Sequence, residues 1–248
     1  MHIYELTEQG ILPRHFVDGK TGLKNSGLRD FRAMLAEGRI VRPSVTTIMS
    51  ILAKPGLINW KIDEYLKAAF EVKADTLDEF MLQSKMKAET KMDAAPSAGS
   101  DFHKLLSDYI NNVDGYKLDP DLPIADRVFY EIENRYGFKP DDFKSEYNFL
   151  AGSYAGQVDA HNSDLILDFK TKQHAGKFKN LVQTDHMIQL AAYREGLGLP
   201  LATCANVYIC LENGEVEIVQ HDESELDWCI HIFYHAVRLW YLINKVEI

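Results

Sequence analysis

An α/β fold with a mixed sheet is the fold class that the sequence predicts, and three observations support it. Beyond Pro140 the apolar residues change from helical spacing to alternation, which is typical of half-buried strands. Two short turn segments, 151–153 and 161–164, divide this region into three candidate strands. A helical segment and two further strands follow. The predicted order therefore contains a βββαβ core followed by one more strand, flanked by helices and with helical additions on its N-terminal side.

Turn signals and periodicity set the bounds of the elements in this core. The tight turns between the first three strands predict an antiparallel meander, and Asn213-Gly214 is a strong hairpin-turn sequence between the last two strands. The predicted strands are 143–150, 154–160, 165–171, 205–211 and 216–220, and the predicted helices are 123–136, 178–197 and 223–244.

The N-terminal region is harder to interpret from its pattern. The first forty residues are polar and interrupted by glycines, which predicts loops with one short helix over 28–37. Ser44 is expected to cap a helix over 45–52, and a second helical region is expected from Leu57 onwards.

A division of the chain is predicted close to residue 98. The small residues of 94–100 (AAPSAGS) predict a flexible hinge, and apolar residues at helical spacing predict a helix over 102–110. We therefore expect a helical and loop region over 1–98 and the α/β core over 99–248.

Composition excludes several classes of protein. The chain of 248 residues has no apolar run long enough to span a bilayer, and its first ten residues lack a secretory pattern. We therefore expect a soluble, unprocessed, cytoplasmic protein without a membrane partner. The three cysteines are Cys204, Cys210 and Cys229; they form no CxxC pair, so we expect neither a disulfide framework nor an iron–sulfur cluster.

The charge distribution allows one local basic surface on an acidic protein. A formal net charge of −10 argues against indiscriminate coating of nucleic acid, since phosphate binding depends on lysine and arginine. Four lysines nevertheless occur within ten positions, which leaves room for a basic channel: Lys170, Lys172, Lys177 and Lys179.

Two aspartates and a lysine form the candidate chemical centre. Alternation along the strand 165–171 places Asp168 and Lys170 on one face. The turn 161–164 pairs positions near Asp159 with 166–168, so the two carboxylates come within reach of one ion. Clustered carboxylates favour a divalent cation, and hard oxygen ligands favour Mg²⁺ or Mn²⁺. Such a metal could activate water against a phosphodiester, while Lys170 steadies the attacking oxygen or the developing charge.

Four more side chains could join this centre. Glu146 lies in the first strand of the meander and could add a carboxylate, and His103 could add an imidazole from the helical region. Gln189 and Tyr193 are spaced i to i+4 and share one helix face, which could address a phosphate or a base.

Several short segments of the sequence occur in the same order as the motifs of a known protein family. They are 43–47 (PSVTT), 60–61 (WK), 99–103 (GSDFH), 156–159 (GQVD), 168–170 (DFK) and 189–193 (QLAAY). The last three are similar to the GxxD, DxK and QxxxY motifs of RecB-type nucleases of the PD-(D/E)XK superfamily, and 99–103 resembles the upstream Gly/His motif of that group. The first two resemble the mitochondrial genome maintenance exonucleases and their phage and bacterial relatives.

This resemblance implies a restriction-endonuclease-like core over 99–248, with 1–98 forming a DNA channel. It implies a metal-dependent exonuclease that hydrolyses linear, single-stranded DNA ends in replication, recombination or repair. Mg²⁺ is the implied cofactor, with Mn²⁺ as a substitute, and the implied partners are DNA and a single-strand-binding or recombination protein. The implied catalytic residues are Asp159, Asp168, Lys170 and Glu146; the metal site comprises His103, Asp159, Asp168 and Phe169; the DNA contacts are Gln189, Tyr193, Ser44, Thr46 and Lys172.

Other interpretations stay open at this point. The same fold could be a structure-specific endonuclease, or a catalytically silent module that binds DNA ends. Individual residues also have simpler explanations: Glu146 could be a salt-bridge partner, His103 a packed histidine, Tyr193 a core aromatic and Ser44 only a helix cap.

Overall fold

The computed structural model describes residues 1–18, 22–25, 27–52, 55–172 and 183–247. The chain divides into two compact units. The first comprises Met1–Leu52 and Leu105–Ile248, and the second comprises Ala53–Lys104. The predicted division at residue 98 therefore falls inside the second unit, and the proposed channel role of 1–98 stays a prediction.

The described residues form a mixed α/β structure. The predicted strands of the core and the helices over 123–136 and 223–244 are confirmed, with ends that shift by up to two residues, whereas the helix predicted over 178–197 begins at Thr184. The strands are β1 (Ile3–Thr7), β2 (Gly10–Asp18), β3 (Gly22–Asn25), β4 (Val41–Pro43), β5 (Lys144–Leu150), β6 (Ala155–His161), β7 (Leu165–Lys172), β8 (Thr203–Cys210) and β9 (Val216–Gln220); the helices are α1 (Leu28–Ala36), α2 (Val45–Met49), α3 (Pro55–Phe70), α4 (Leu77–Ile110), α5 (Leu122–Tyr136), α6 (Thr184–Gly196) and α7 (Glu223–Ile243). Part of the predicted helix 178–197 lies outside the described residues.

A five-stranded mixed sheet in the order β5-β6-β7-β8-β9 forms the centre of the first unit. Strands β5, β6 and β7 are antiparallel neighbours, which confirms the predicted meander. Strand β8 runs parallel to β7, because α6 crosses over between them and packs on β6, β7 and β8. Strand β9 returns antiparallel to β8 through the predicted Asn213-Gly214 turn, where Gly214 has a φ of 68°.

The first forty residues are not loops, and this part of the prediction was wrong. Only helix α1 was anticipated; strands β1 to β4 form an antiparallel sheet in the order β3-β2-β1-β4. Its polar pattern misleads because strand β1 buries a charge, Glu5, whose carboxylate binds Arg14 and Arg39. This sheet adjoins the core sheet, since Asn148 Nδ2 donates to Ile11 O at 3.2 Å.

Two helical predictions also need correction. The segment 94–100 is not a hinge, because α4 is continuous for 34 residues across it. Small residues such as alanine favour helix, so their presence alone does not interrupt one. The Ser44 cap is confirmed, since its hydroxyl accepts from Thr47 N, but α2 ends at Met49 before the expected Leu52. None of the described helices is long and apolar enough to cross a membrane.

Candidate active site

Glu146 and Asp159 lie opposite each other on the antiparallel strands β5 and β6. The register pairs Ser145 with Ala160 and Tyr147 with Val158, so position 146 falls across from 159. Both side chains are half-buried, and their carboxylate oxygens lie within 4.8 Å of each other. Like charges directly opposite on a sheet repel. The pair is therefore a place where a cation would be stabilised.

The backbone at Glu146 is in a conformation that L-residues rarely adopt. Its φ is 48°, in the left-handed region, which costs a residue with a side chain about 1–2 kcal/mol. The regular pairing of β5 with β6 is interrupted at this one position. Backbone strain combined with carboxylate repulsion is typical of functional sites, where surrounding structure maintains an unfavourable arrangement.

Asp159 also binds the neighbouring strand through its main chain. Its Oδ2 accepts the N–H of Phe169 at 2.7 Å. Strand β6 pairs with β7 at Ala160–Leu167 and His161–Ile166. Asp159 directly precedes these pairs, so its carboxylate continues the contact between the two strands. The predicted pairing of 159 with the region of 166–168 is thereby confirmed.

Asp168 and Lys170 share one face of β7, as alternation predicted. Lys170 Nζ donates to Asp168 Oδ1 at 2.7 Å and lies 2.6 Å from Oδ2. Only 1% of Asp168 is exposed. Burial alone would lower the pKa of the Lys170 ammonium, but the charges of Asp168 and Asp159 outweigh burial and raise it. Lys170 therefore keeps its positive charge at neutral pH.

Gln189 and Tyr193 extend this network on helix α6. Lys170 Nζ donates to Gln189 Oε1 at 3.3 Å, and Gln189 Nε2 donates to the Tyr193 hydroxyl at 2.6 Å. Tyr193 is 4% exposed, and burial raises the pKa of its phenol well above the usual value. Both predicted residues are thus brought to Lys170, and their polar groups hold the ammonium in place. Their contact with DNA stays a prediction.

Gly156 of the GxxD motif permits this close packing. A Cβ at Gly156 would lie 2.6 Å from the Phe149 ring and 3.1 Å from the Tyr193 ring. The two rings meet edge to face, with centroids 5.9 Å apart. The glycine is therefore needed so that α6 can bring Tyr193 and Gln189 against the sheet.

The other predicted site residues have mixed placements. Ser44 is 4% exposed, and its hydroxyl lies 3.0 Å from that of exposed Thr46. Lys172 Nζ stands 5.4 Å above the ring of Tyr208. Phe169 is a buried core side chain that offers only its main chain to the site. His103 lies on α4 in the second unit and is half-buried.

Two polar residues that sequence reasoning missed contact the site directly or through a partner. Asn206 Nδ2 donates to Asp168 Oδ2 at 2.6 Å, and Asn206 Oδ1 lies 2.7 Å from His221 Nε2. Asn206 follows from a visible signal, because a polar residue inside an otherwise apolar strand needs a partner. His221 lies in the connection between β9 and α7 and has no comparable signal in the sequence.

A third missed residue, Tyr4 on β1, belongs to the N-terminal sheet. It is 7% exposed, and burial together with the charge of Glu146 raises the pKa of its phenol to about 12. The sheet that the sequence analysis read as loops therefore contributes to the surroundings of Glu146.

Comparisons with known proteins leave the family open. No protein-family model matches the chain, and no curated protein matches it. A crystal structure from Eubacterium rectale, of a protein assigned provisionally as an exonuclease, is 15% identical, with a TM-score of 0.41 over 58% of this chain and 67% of that one. The protein SSO0001 is 11% identical, with a TM-score of 0.33 over 72% of this chain and 85% of that one. These likenesses are too distant to define the site.

Proposed function

We propose that the protein is a metal-dependent nuclease that hydrolyses phosphodiester bonds in DNA. One observation carries the proposal. Two opposed carboxylates, Glu146 and Asp159, occur beside a lysine whose ammonium is fixed by Asp168 and Gln189. Carboxylates that bind a divalent ion, next to a fixed cation, suit the transfer of a charged phosphoryl group.

The donor set fits a divalent cation with hard ligands. Glu146 and Asp159 offer oxygen donors within 4.8 Å of each other, which suits Mg²⁺ or Mn²⁺. On the strength of the motif resemblance, we also include Asp168 and His103 in the proposed ligand set. An imidazole in the set would favour Mn²⁺ over Mg²⁺.

Lys170 has an electrostatic role in this proposal. A bound divalent ion would polarise the phosphate and make water more acidic. Lys170 contributes a positive charge to the site, since its ammonium is bound by Asp168 and Gln189. It orients the attacking water and offsets negative charge on the phosphate oxygens. Water attacks phosphorus, the bond from phosphorus to the 3′ oxygen of the sugar breaks, and the products are a 5′-phosphate end and a 3′-hydroxyl.

The proposed substrate is a linear single strand of DNA, cut from its end in replication, recombination or repair. The motif resemblance over 43–195 supports this choice, because that nuclease group includes exonucleases. Contacts from Ser44, Thr46 and Lys172 to DNA, and a single-strand-binding or recombination protein as partner, belong to the same proposal. So does a cytoplasmic location.

Degradation of end-labelled linear single-stranded DNA with Mn²⁺ or Mg²⁺ tests the function. We expect activity in either ion, none in EDTA, and a loss of about 100- to 1,000-fold in Lys170→Ala, as when one fixed charge donor is removed from a transition state. Asp168→Asn is a second variant that removes charge with little change of shape. Activity in either variant equal to wild type would contradict the proposed site.

A closed circular single strand separates the two nuclease classes. An exonuclease cannot begin on a circle, so we expect the circle to survive while the linear strand disappears. Digestion of the circle would favour a structure-specific endonuclease on the same fold. Binding to DNA ends without any metal-dependent cleavage would instead favour a silent end-binding module.

A further inference from the structure

We propose that Asn206 and His221 are positioning residues that fix the orientation of the Asp168 carboxylate. The inference rests on the proposed function, because Asp168 is the group being positioned. Asn206 stands beside Asp168 in the parallel register of β7 and β8, and its Nδ2 reaches Asp168 Oδ2 at 2.6 Å. His221 holds the other end of the same amide at 2.7 Å.

The chemistry of the three groups permits only one arrangement of protons. An ionised carboxylate only accepts, so Asn206 must present its NH₂ to Asp168 and its Oδ1 to His221. Oδ1 is an acceptor, and therefore His221 Nε2 carries a proton and donates. Asparagine is the adapter that joins an acceptor on one side to a donor on the other. Aspartate or leucine at position 206 could not serve both neighbours.

All three members are removed from water. Asp168, Asn206 and His221 are 1%, 0% and 5% exposed. A buried polar group that loses its partner is left desolvated without a compensating hydrogen bond, which keeps the Asn206 amide from turning around. Burial lowers the pKa of His221, and the nearby charges of Glu225 and Asp222 only partly oppose this, so the ring is neutral at pH 7.

His221 is itself anchored to the strand that carries Asn206. Its main-chain N–H donates to Cys204 O at 3.0 Å, two residues before Asn206 on β8. Main chain and ring therefore hold the same strand, and the ring cannot swing without breaking a contact. The Asp168 carboxylate therefore contacts the ammonium of Lys170 and, through Oδ2, the amide of Asn206, which His221 holds in turn.

Such outer partners of a ligand carboxylate affect metal affinity more than protein stability. Their loss typically weakens metal binding or activity by about 10- to 100-fold. Without the Asn206 amide, Asp168 would keep its contact with Lys170 but lose the contact that fixes the direction of Oδ2. We therefore expect the loss to appear as a higher Mn²⁺ requirement, with kcat restored toward wild type when Mn²⁺ is saturating.

Paired substitutions of His221 and Asn206 test the inference, with Mn²⁺ as the probe. Mn²⁺ affinity is measured by calorimetry without DNA, and cleavage of linear single-stranded DNA is measured against Mn²⁺ concentration. Asn206→Leu and His221→Leu remove the contacts. His221→Gln retains a terminal N–H donor and is the conservative variant. His161→Leu is the matched control, since His161 is another buried histidine and contacts Tyr147 rather than this network.

We expect the two leucine variants of this network to lose about 10- to 100-fold in Mn²⁺ affinity. His221→Gln should lie within about threefold of wild type on the same scale, and His161→Leu should lose stability without a change in affinity. If Asn206→Leu fails to fold, the comparison of His221→Leu with His221→Gln decides alone.

The outcomes separate this inference from the proposed function. Wild-type protein that binds Mn²⁺ and cleaves DNA, with unchanged affinity in the leucine variants, overturns the positioning role only. A uniform loss of activity at every Mn²⁺ concentration, equal to that of His161→Leu, also overturns it, because that result reflects lost folded protein. Wild-type protein that neither binds Mn²⁺ nor cleaves DNA overturns the proposed function, and the positioning role with it.

Discussion

Removing the charge of Glu146 should stabilise the metal-free protein and reduce the stability that the protein gains from a bound metal ion. Two unit charges at the 4.8 Å limit repel by about 0.9 kcal/mol at the dielectric constant of water and by about 3.5 kcal/mol at an effective value of about 20. Both carboxylates are half-buried, so we expect Glu146→Gln to raise the free energy of unfolding by about 1–3 kcal/mol in EDTA at low salt.

Backbone strain at the same position makes a separable contribution. Glycine adopts a φ of 48° without the penalty of about 1–2 kcal/mol that a side chain carries. Glu146→Gly should therefore raise the free energy of unfolding in EDTA by more than Glu146→Gln does. Lys245 has the same φ of 48° outside the site and is the matched control. Lys245→Gly should show the strain relief alone, with no dependence on metal.

Chemical unfolding in EDTA and in excess Mn²⁺ measures both effects. A ligand at about 100 times its Kd stabilises the folded state by about 2.7 kcal/mol, and wild type should gain this fully. Glu146→Gln lacks the negative charge that attracts the ion and should gain less, so its advantage over wild type should shrink when Mn²⁺ is added. An advantage of the same size in both conditions, or a variant less stable than wild type in EDTA, would refute the reasoning that the pair is held against its own repulsion.

Three further predictions follow from the packing and protonation of the fold. Gly156→Ala should cost about 1–3 kcal/mol in urea unfolding and lower kcat, because the new methyl displaces the Phe149 and Tyr193 rings; an unchanged midpoint would contradict that packing. Ser44→Ala should cost about 1 kcal/mol through loss of the α2 cap while Ser44→Asp retains most of it, and equal stability of the two variants would contradict the capping role. Burial lowers the pKa of His161 and His221, so the unfolded chain binds more protons and stability should fall as pH drops through about 6.5; a flat profile between pH 8 and 5.5 would contradict their burial as neutral rings.

Local sequence patterns were enough to predict most of the core strands and helices and part of the candidate site. Alternation in 165–171 was enough to place Asp168 and Lys170 on one face, and a four-residue turn was enough to predict the pairing of β6 with β7. These relations depend on backbone geometry over a few residues, which sequence records directly.

Relations that depend on long-range packing were beyond the same reasoning. Asn206 meets Asp168 across a parallel pair whose register is set by the crossover helix, and His221, from a distant connection, contacts Asn206 only because the chain folds back. The polar pattern of strand β1 predicts a loop, because it includes the charged residue Glu5. That charge can be buried in a strand since arginines elsewhere in the chain neutralise it. The left-handed backbone of Glu146 follows from no local preference, since glutamate is not a residue that favours it.

In the proposed site, Asp159 would bind both a cation and a main-chain amide, and this determines which substitution is informative. One of its oxygens closes a gap between neighbouring strands by accepting the Phe169 amide, as a main-chain carbonyl would. An alanine there would remove this hydrogen bond and weaken the contact between β6 and β7. Loss of activity in that variant would therefore not show that Asp159 binds a cation. Asparagine keeps an oxygen for the amide while removing the charge. Asp159→Asn is therefore the substitution that separates loss of the proposed cation binding from loss of the contact between β6 and β7.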